Sequence, residues 1–176
     1  MSTLWICDLD NTLVHTTRDL QGDHGRLAHL TLVPGAREFL DALKARGDRC
    51  VLVTVGPWAY QTKKIQRLGL GLRSTILSPL PNKNGIYPDL PLDAKEHTFS
   101  SYKKKAEGAP VVVVGDRLDR DIAPAKRLGL ATVRIRLPEG KYSSQEPQTP
   151  EETPDCEVAD FFELLELLSL LYLAGV

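Results

Sequence analysis

A chain of 176 residues, 42% hydrophobic and 26% charged, suits a single globular domain able to bury a substantial core. Its 22 Lys and Arg against 23 Asp and Glu leave a formal net charge of -1, which gives no electrostatic ground for a nucleic-acid or membrane partner. Three cysteines, Cys7, Cys50 and Cys156, show no metal-type spacing, and Cys7 and Cys50 sit in apolar runs where a buried thiol is expected.

Leu4-Trp5-Ile6-Cys7 reads as a first strand. No basic region followed by a long apolar stretch precedes it, so the expectation is no secretory signal and a reducing, cytoplasmic setting. Residues 14–33 break the pattern and are predicted as a loop or small hairpin with solvated histidines at His15, His24 and His29. A helix then starts near Pro34, carries Phe39, Leu40 and Leu43 on one face, and stops at Gly47. Cys50-Val51-Leu52-Val53 is the second strand, followed by a helix from about Pro57 to Gly69 with Ile65 and Leu68 inward.

Ser74-Thr75-Ile76-Leu77 is a weaker third strand. The next helix begins around Ala94, where Asp93 and Glu96 have the spacing of a capping box. Val111-Val112-Val113-Val114 is a β-branched run of the kind found in strands covered on both faces. A helix from about Asp119 to Leu128 ends at Gly129, and the alternating segment from Ala131 to Arg136 suits a strand nearer an edge. Residues 138–157 read as a long surface loop. The run from Phe161 to Leu173 is apolar but short and interrupted by Glu163 and Glu166. A spanning helix needs roughly 20 apolar residues, so this run is predicted to dock, with a homodimer contact as the secondary expectation. No internal repeat is present. Strand–helix alternation of this kind predicts an α/β fold with a doubly wound, mainly parallel sheet and helices on both faces.

Ligands of such sheets bind outside the carboxyl ends of the strands. The first strand runs into Asp8-Leu9-Asp10-Asn11-Thr12, the second into Thr54-Val55-Gly56, and the fourth into Gly115-Asp116 through Asp121. Carboxylates gathered at one edge repel one another unless a cation intervenes, and magnesium prefers oxygen ligands and sits between carboxylates and a phosphate. Asp8 and Asp116 are the expected direct ligands. Asp119 and Asp121 are placed to orient ligands or waters, and for Asp119 a helix-capping role accounts for the residue equally well.

Those ordered motifs resemble the haloacid dehalogenase (HAD) superfamily across nearly the whole chain. Asp8-Leu9-Asp10-Asn11-Thr12 matches its DxDx(T/V) motif, Thr54 its Ser/Thr at the next strand end, and Gly115-Asp116 through Asp121 its GDxxxxD. The resemblance implies a Rossmannoid hydrolase in which Asp8 attacks phosphorus and Asp10 protonates the leaving oxygen and then activates water. It also implies Mg2+ held by Asp8, the Asp10 backbone carbonyl and the fourth-motif acids, Asp116 and Asp121. The Thr54 hydroxyl and the Val55 N–H would bind phosphoryl oxygens. Dehalogenases lack the acid two places after the nucleophile, so Asp10 points to phosphate esters.

The superfamily's lysine is expected at Lys95 rather than at Lys103, Lys104 or Lys105, with Lys83 a lesser rival. A helix feeding a parallel strand begins at that strand's carboxyl edge, which puts Lys95 by the site and the Lys103–Lys105 run roughly 12–15 Å away at ~1.5 Å per residue. That run has an ordinary reason to be there, since cations favour helix C-termini. The short gaps between motifs leave no room for a sizeable cap domain, so one domain over 1–176 is expected, with residues 14–33 as local lid and Trp58 at the entrance. The expected partner is a phosphorylated metabolite or macromolecular end. The alternative is a non-catalytic phosphate- or metal-binding regulatory domain of the same fold. A receiver-type domain fits poorly because no acid follows Val53, and a phosphomutase ordinarily needs a cap to exclude water.

Overall fold

The computed structural model describes residues 2–83 and 88–173, the side chains of residues 24–26 and 171–173 excepted. Its sheet has six strands, β1 (Leu4–Cys7), β2 (Arg49–Val55), β3 (Arg73–Leu77), β4 (Val111–Gly115), β5 (Ala131–Ile135) and β6 (Cys156–Val158), in the order β3-β2-β1-β4-β5-β6. Every pairing is parallel. β1 lies between β2 and β4, where the order of connection reverses and a doubly wound sheet opens a crevice.

The helices are α1 (Thr16–Leu20), α2 (Ala36–Ala45), α3 (Trp58–Arg67), α4 (Ala94–Lys105), α5 (Ala123–Arg127) and α6 (Phe161–Leu173). Alternation along the strands sorts them onto two faces. Trp5, Cys7, Leu52, Val114 and Val133 point to one core with Phe39, Leu40 and Leu43 of α2, Ile65 and Leu68 of α3, and Phe161 and Leu164 of α6. Leu4, Ile6, Val51, Val53, Val111 and Val113 point to the other with Phe99 of α4 and Ala125 of α5. On the first face Phe39 meets the Trp5 ring edge-on at 5.2 Å and Phe161 at 4.8 Å. The apolar C-terminal run therefore docks as a helix, with Phe162 and Leu170 left exposed. No helix among the described residues is long and apolar enough to cross a membrane.

Four local expectations need correction. Residues 14–33 form α1, a 3-10 turn over His24–His29 and a single antiparallel bridge, Val14 to Leu32, and they bury Leu20, Leu30 and Asp19. His15 is buried rather than solvated, His29 is exposed, and the His24 side chain lies outside the described residues. The 138–157 segment ends in β6, which pairs with β5 and removes β5 from the sheet edge. Its strand is only three residues long, too short to leave an alternation in the sequence. Asp93 precedes α4 without a side-chain cap: the Glu96 N–H goes to the Asp93 carbonyl at 2.9 Å, and the Glu96 side chain pairs with Arg127, 2.6 Å away. Finally, the helix expected from Asp119 opens as a π-helical turn, Leu118–Ile122, before α5.

Candidate active site

At the carboxyl ends of β1, β2 and β4 a cavity of about 290 Å³ is lined by Asp8, Asp10, Thr54, Val55, Lys95, Asp116 and Asp121 together. All seven residues expected from the sequence therefore converge. β1 extends into the site through the bond from the Asp8 N–H to the Val114 carbonyl at 2.9 Å, which fixes Asp8 beside the end of β4. Asn11 then takes a left-handed conformation (φ 55°), which Asn tolerates, and turns the chain back through its N–H to the Val14 carbonyl. Leu9, fully buried between the two acids, anchors the loop in the core.

Lys95, 4% exposed at the start of α4, donates to Asp8 Oδ1 at 2.6 Å and to Asp121 Oδ1 at 2.5 Å. Lys103, Lys104 and Lys105 are exposed at the far end of that helix, and Lys83 is exposed in its loop. Burial pushes the Asp8 carboxyl up to about 7, with Lys95 opposing and Asp121 and Asp10 adding to the rise. Burial alone would depress the Lys95 ammonium, but Asp121 and Asp8 outweigh it and raise its proton affinity.

Asp116 closes the group. Asp8, Asp116 and Asp121 present carboxylate oxygens that all lie within 4.8 Å of one another. Burial, then Asp121 and Asp8, push Asp116 well above the ordinary carboxylate range. Its Oδ2 is shut off from solvent with no hydrogen-bond partner, an arrangement that costs free energy unless something binds there. Three converging oxygen donors and one orphaned oxygen suit a hard divalent cation. Asp121 differs from Asp116 in that both its oxygens are engaged, Oδ1 by Lys95 and Oδ2 by the Arg117 N–H at 3.1 Å. The π-helical turn carries that second bond, and Gly115 makes room for it, since a Cβ there would lie 2.5 Å from Asp121 Oδ2.

Asp10 stands in a different environment two residues away. Lys64 Nζ lies 2.5 Å from its Oδ1, Thr16 donates to the same oxygen, and Gln61 Nε2 donates to its Oδ2 at 2.8 Å. Burial would raise the Asp10 carboxyl, but Lys64 and these hydrogen bonds outweigh it and hold it below its ordinary value. Gln61 also donates to the Thr54 hydroxyl oxygen at 2.7 Å, leaving the Thr54 proton free to donate into the cavity.

Gln61, Lys64 and Arg134 contact the residues of the site and were not singled out from the sequence. Gln61, Lys64, Ile65 and Leu68 form one i, i+3, i+4, i+7 stripe, so the inward face of α3 carries its polar half at the site end. Arg134, fully buried on β5, reaches the Asp116 carbonyl at 3.3 Å, the Tyr142 carbonyl at 2.8 Å and Glu157 at 2.9 Å. Nothing in an alternating strand marks such a residue.

Other candidates stand elsewhere. Asp119 pairs with Arg117 through two bonds, at 3.0 and 2.6 Å, and stays out of the carboxylate group. Trp58 is 63% exposed and does not line the cavity. No described residue of 14–33 lines it either. Its walls come from Pro79, Pro88, Asp89 and Leu90, from Arg117 and Arg120, and from Tyr142.

A doubly wound sheet with ordered acids at its switch point defines the class of protein as a HAD-like α/β fold. The chain is similar to HAD hydrolases: a family model described as HAD-hydrolase-like matches residues 93–164. A glyceraldehyde 3-phosphate phosphatase of Methanopyrus kandleri is 33% identical over 145 residues, 81% of this chain and 59% of that protein. The glyceraldehyde 3-phosphate phosphatase of Methanocaldococcus jannaschii is 32% identical over 146 residues, with the same two coverages of 81% and 59%. The chain thus spans about three fifths of the length of these relatives. Among solved structures, a HAD hydrolase of Bacillus subtilis described as bound to magnesium shares the fold, with TM-score 0.63, 15% identity, and coverage of 95% of this chain and 98% of that one.

Proposed function

We propose that the protein is a magnesium-dependent phosphomonoesterase working through a phospho-aspartate on Asp8. The observation that carries this reading is the pair Asp8 and Asp10, two carboxylates two residues apart yet held by separate cations in separate environments on one cavity floor. Such divergence is how two acids are given two roles. Magnesium would be held by Asp8 and Asp116, with the Asp10 carbonyl and Asp121 at its margin, and would supply charge neutralisation to nucleophile and phosphate. That a structural neighbour is described as magnesium-bound supports the choice of metal.

The chain's own residues then divide the work. Thr54 and the Val55 N–H take phosphoryl oxygens, and Lys95 steadies the Asp8 carboxylate in line with phosphorus. An Asp8 oxygen forms the new P–O bond as the bond to the ester oxygen breaks, and Asp10 delivers a proton to that departing oxygen. The bound phosphate raises the proton affinity of Asp10, since a nearby negative charge disfavours a second one. In the second half Asp10 takes a proton from water as its oxygen attacks phosphorus. The Asp8–phosphorus bond breaks, releasing inorganic phosphate and restoring Asp8.

A cavity of about 290 Å³ lies at the small end of ligand sites, which favours a small phosphorylated metabolite over a macromolecular end. The named relatives are glyceraldehyde 3-phosphate phosphatases, and glyceraldehyde 3-phosphate is a small phosphorylated metabolite. Phosphate release from an aryl phosphate, with magnesium and with chelator, for the wild type and Asp8→Asn tests the reading. Magnesium-dependent release that vanishes in the variant is expected. Undiminished release by Asp8→Asn would sink the mechanism, and tight phosphate binding without any release would favour the non-catalytic alternative.

A further inference from the structure

The cavity holds a cation that the chemistry above does not use. Arg120 lines it with Asp8, Thr54 and Lys95, is half-buried, and has an Nε shut off from solvent without a hydrogen-bond partner. Both acids beside it in sequence are already engaged, Asp119 by Arg117 and Asp121 by Lys95 and the Arg117 N–H. No carboxylate among the described residues pairs with Arg120.

Its neighbour Arg117 shows what a structural arginine looks like here. Arg117 is bidentate to Asp119, donates to the Tyr142 hydroxyl at 2.9 Å, and stacks on the Tyr142 ring at 4.2 Å. It is a neutralised wall. Arg120 projects from the same π-helical turn, a geometry often found at functional sites, with its charge uncompensated. A planar guanidinium is suited to carboxylate and phosphate, and a buried N–H without a partner gains most from an anion brought to it.

We propose that Arg120 is a specificity-determining residue that binds a second anionic group of the substrate, a carboxylate or second phosphate, while the Asp8 end holds the scissile phosphate. The substrate class is then a small phosphomonoester carrying a further anion. This rests on the phosphatase reading for its substrate term, while the anion contact itself can be tested without turnover. A sphere of the cavity's volume is roughly 8 Å across, comparable to the span between the ends of a three- to five-carbon metabolite.

Two matched pairs test it: 3-phosphoglycerate against glycerol 3-phosphate, and ribulose 1,5-bisphosphate against ribulose 5-phosphate. In at least one pair the wild type should favour the compound with the second anion by about tenfold or more in kcat/KM, the scale of one charge-assisted contact. Arg120→Ala should bring that ratio near one, and Arg120→Lys should keep part of it. Arg120→Gln, closer in shape, carries the test should the alanine variant unfold. A wild-type ratio near one in both pairs would overturn the proposal. So would a preference that Arg120→Ala leaves unmoved. If none of the four compounds releases phosphate, the phosphatase reading is judged separately by the aryl-phosphate assay. The same ratios are then read from dissociation constants by calorimetry, where a ratio near one or a preference unmoved by Arg120→Ala again overturns the anion contact.

Discussion

Lys95→Met removes the charge and keeps most of the side chain's volume. Two buried bonds are lost, to Asp8 at 2.6 Å and to Asp121 at 2.5 Å. At about 1.5–3 kcal/mol for each hydrogen bond to a charged group, the pair is worth roughly 3–6 kcal/mol. With about 1.4 kcal/mol per tenfold in rate, and part of the loss recovered by relaxation, kcat/KM should fall about 10²–10⁴-fold. The variant also leaves Asp8, Asp116 and Asp121 within 4.8 Å of one another without the buried lysine that bridges two of them. Its thermal midpoint should therefore depend on magnesium more steeply than that of the wild type. Phosphate release at saturating magnesium is the assay, with Lys104→Met as the control, since Lys104 is exposed at the other end of α4. A Lys95→Met enzyme keeping more than about a tenth of wild-type kcat/KM, less than one charged hydrogen bond's worth, would refute the reasoning. An equal loss in Lys104→Met would refute it too.

Other expectations follow from single contacts. Gly115→Ala puts a Cβ 2.5 Å from Asp121 Oδ2, so Asp121 must leave Lys95 and the Arg117 N–H. Magnesium affinity by calorimetry should drop about 10–100-fold, as for other groups that orient metal ligands. Gly35→Ala should destabilise by about 2–4 kcal/mol in urea unfolding. Gly35 has φ 77°, and an added Cβ would meet the Phe162 nitrogen at 2.5 Å. Asp19→Asn should destabilise at neutral pH but not in strong acid. Burial would raise the Asp19 carboxyl, yet hydrogen bonds from Arg18 and Thr31 hold it below its ordinary value. A lowered carboxyl contributes stability above its unfolded pKa of about 3.9 and loses it as pH falls through the folded value. The gap between the two proteins in urea midpoint should accordingly close in that acid window, and a gap unchanged at pH 2 would contradict the assignment.

The sheet was legible because its central strands are covered on both faces and so read as continuous apolar runs, Leu4–Cys7 and Val111–Val114 above all. The site's acids were legible because parallel strands bring their carboxyl ends to one edge, whatever the chain does between them. The same topology separated Lys95 from the Lys103–Lys105 run. What escaped notice were residues whose role depends on tertiary contact alone. β6 is held by pairing with β5 and by the Arg136 N–H to the Val158 carbonyl at 2.8 Å, not by its own three residues. His15, the residue before α1, is buried, which a local reading of a polar segment does not foresee. Tyr142 reaches the cavity from a segment with no periodicity, and its seat depends on Arg117 and Arg134. Gln61 and Lys64 belong to the opposite case, because their stripe was present and was read only in its apolar half.

The charges of the site connect these residues to the substrate. Asp8, Asp10, Asp116 and Asp121 face Lys95 and Lys64, while Arg117 and Asp119 cancel one another. With all four acids ionised the floor carries a formal excess of two negative charges. That excess explains why burial and mutual repulsion raise Asp8 and Asp116. It also matches a divalent cation, whose charge would make the floor neutral and Asp8 ionised at neutral pH. A phosphate monoester dianion then arrives at a site with no attractive surplus, and Thr54 and the Val55 N–H offer dipoles rather than charge. The charged lining residues outside that count are Arg120 and Asp89, and no ion pair joins them. An ester without a second anionic group leaves the Arg120 Nε without an acceptor, so the preference for a second anion rests on that local contact and not on the overall charge balance, in which Asp89 offsets Arg120.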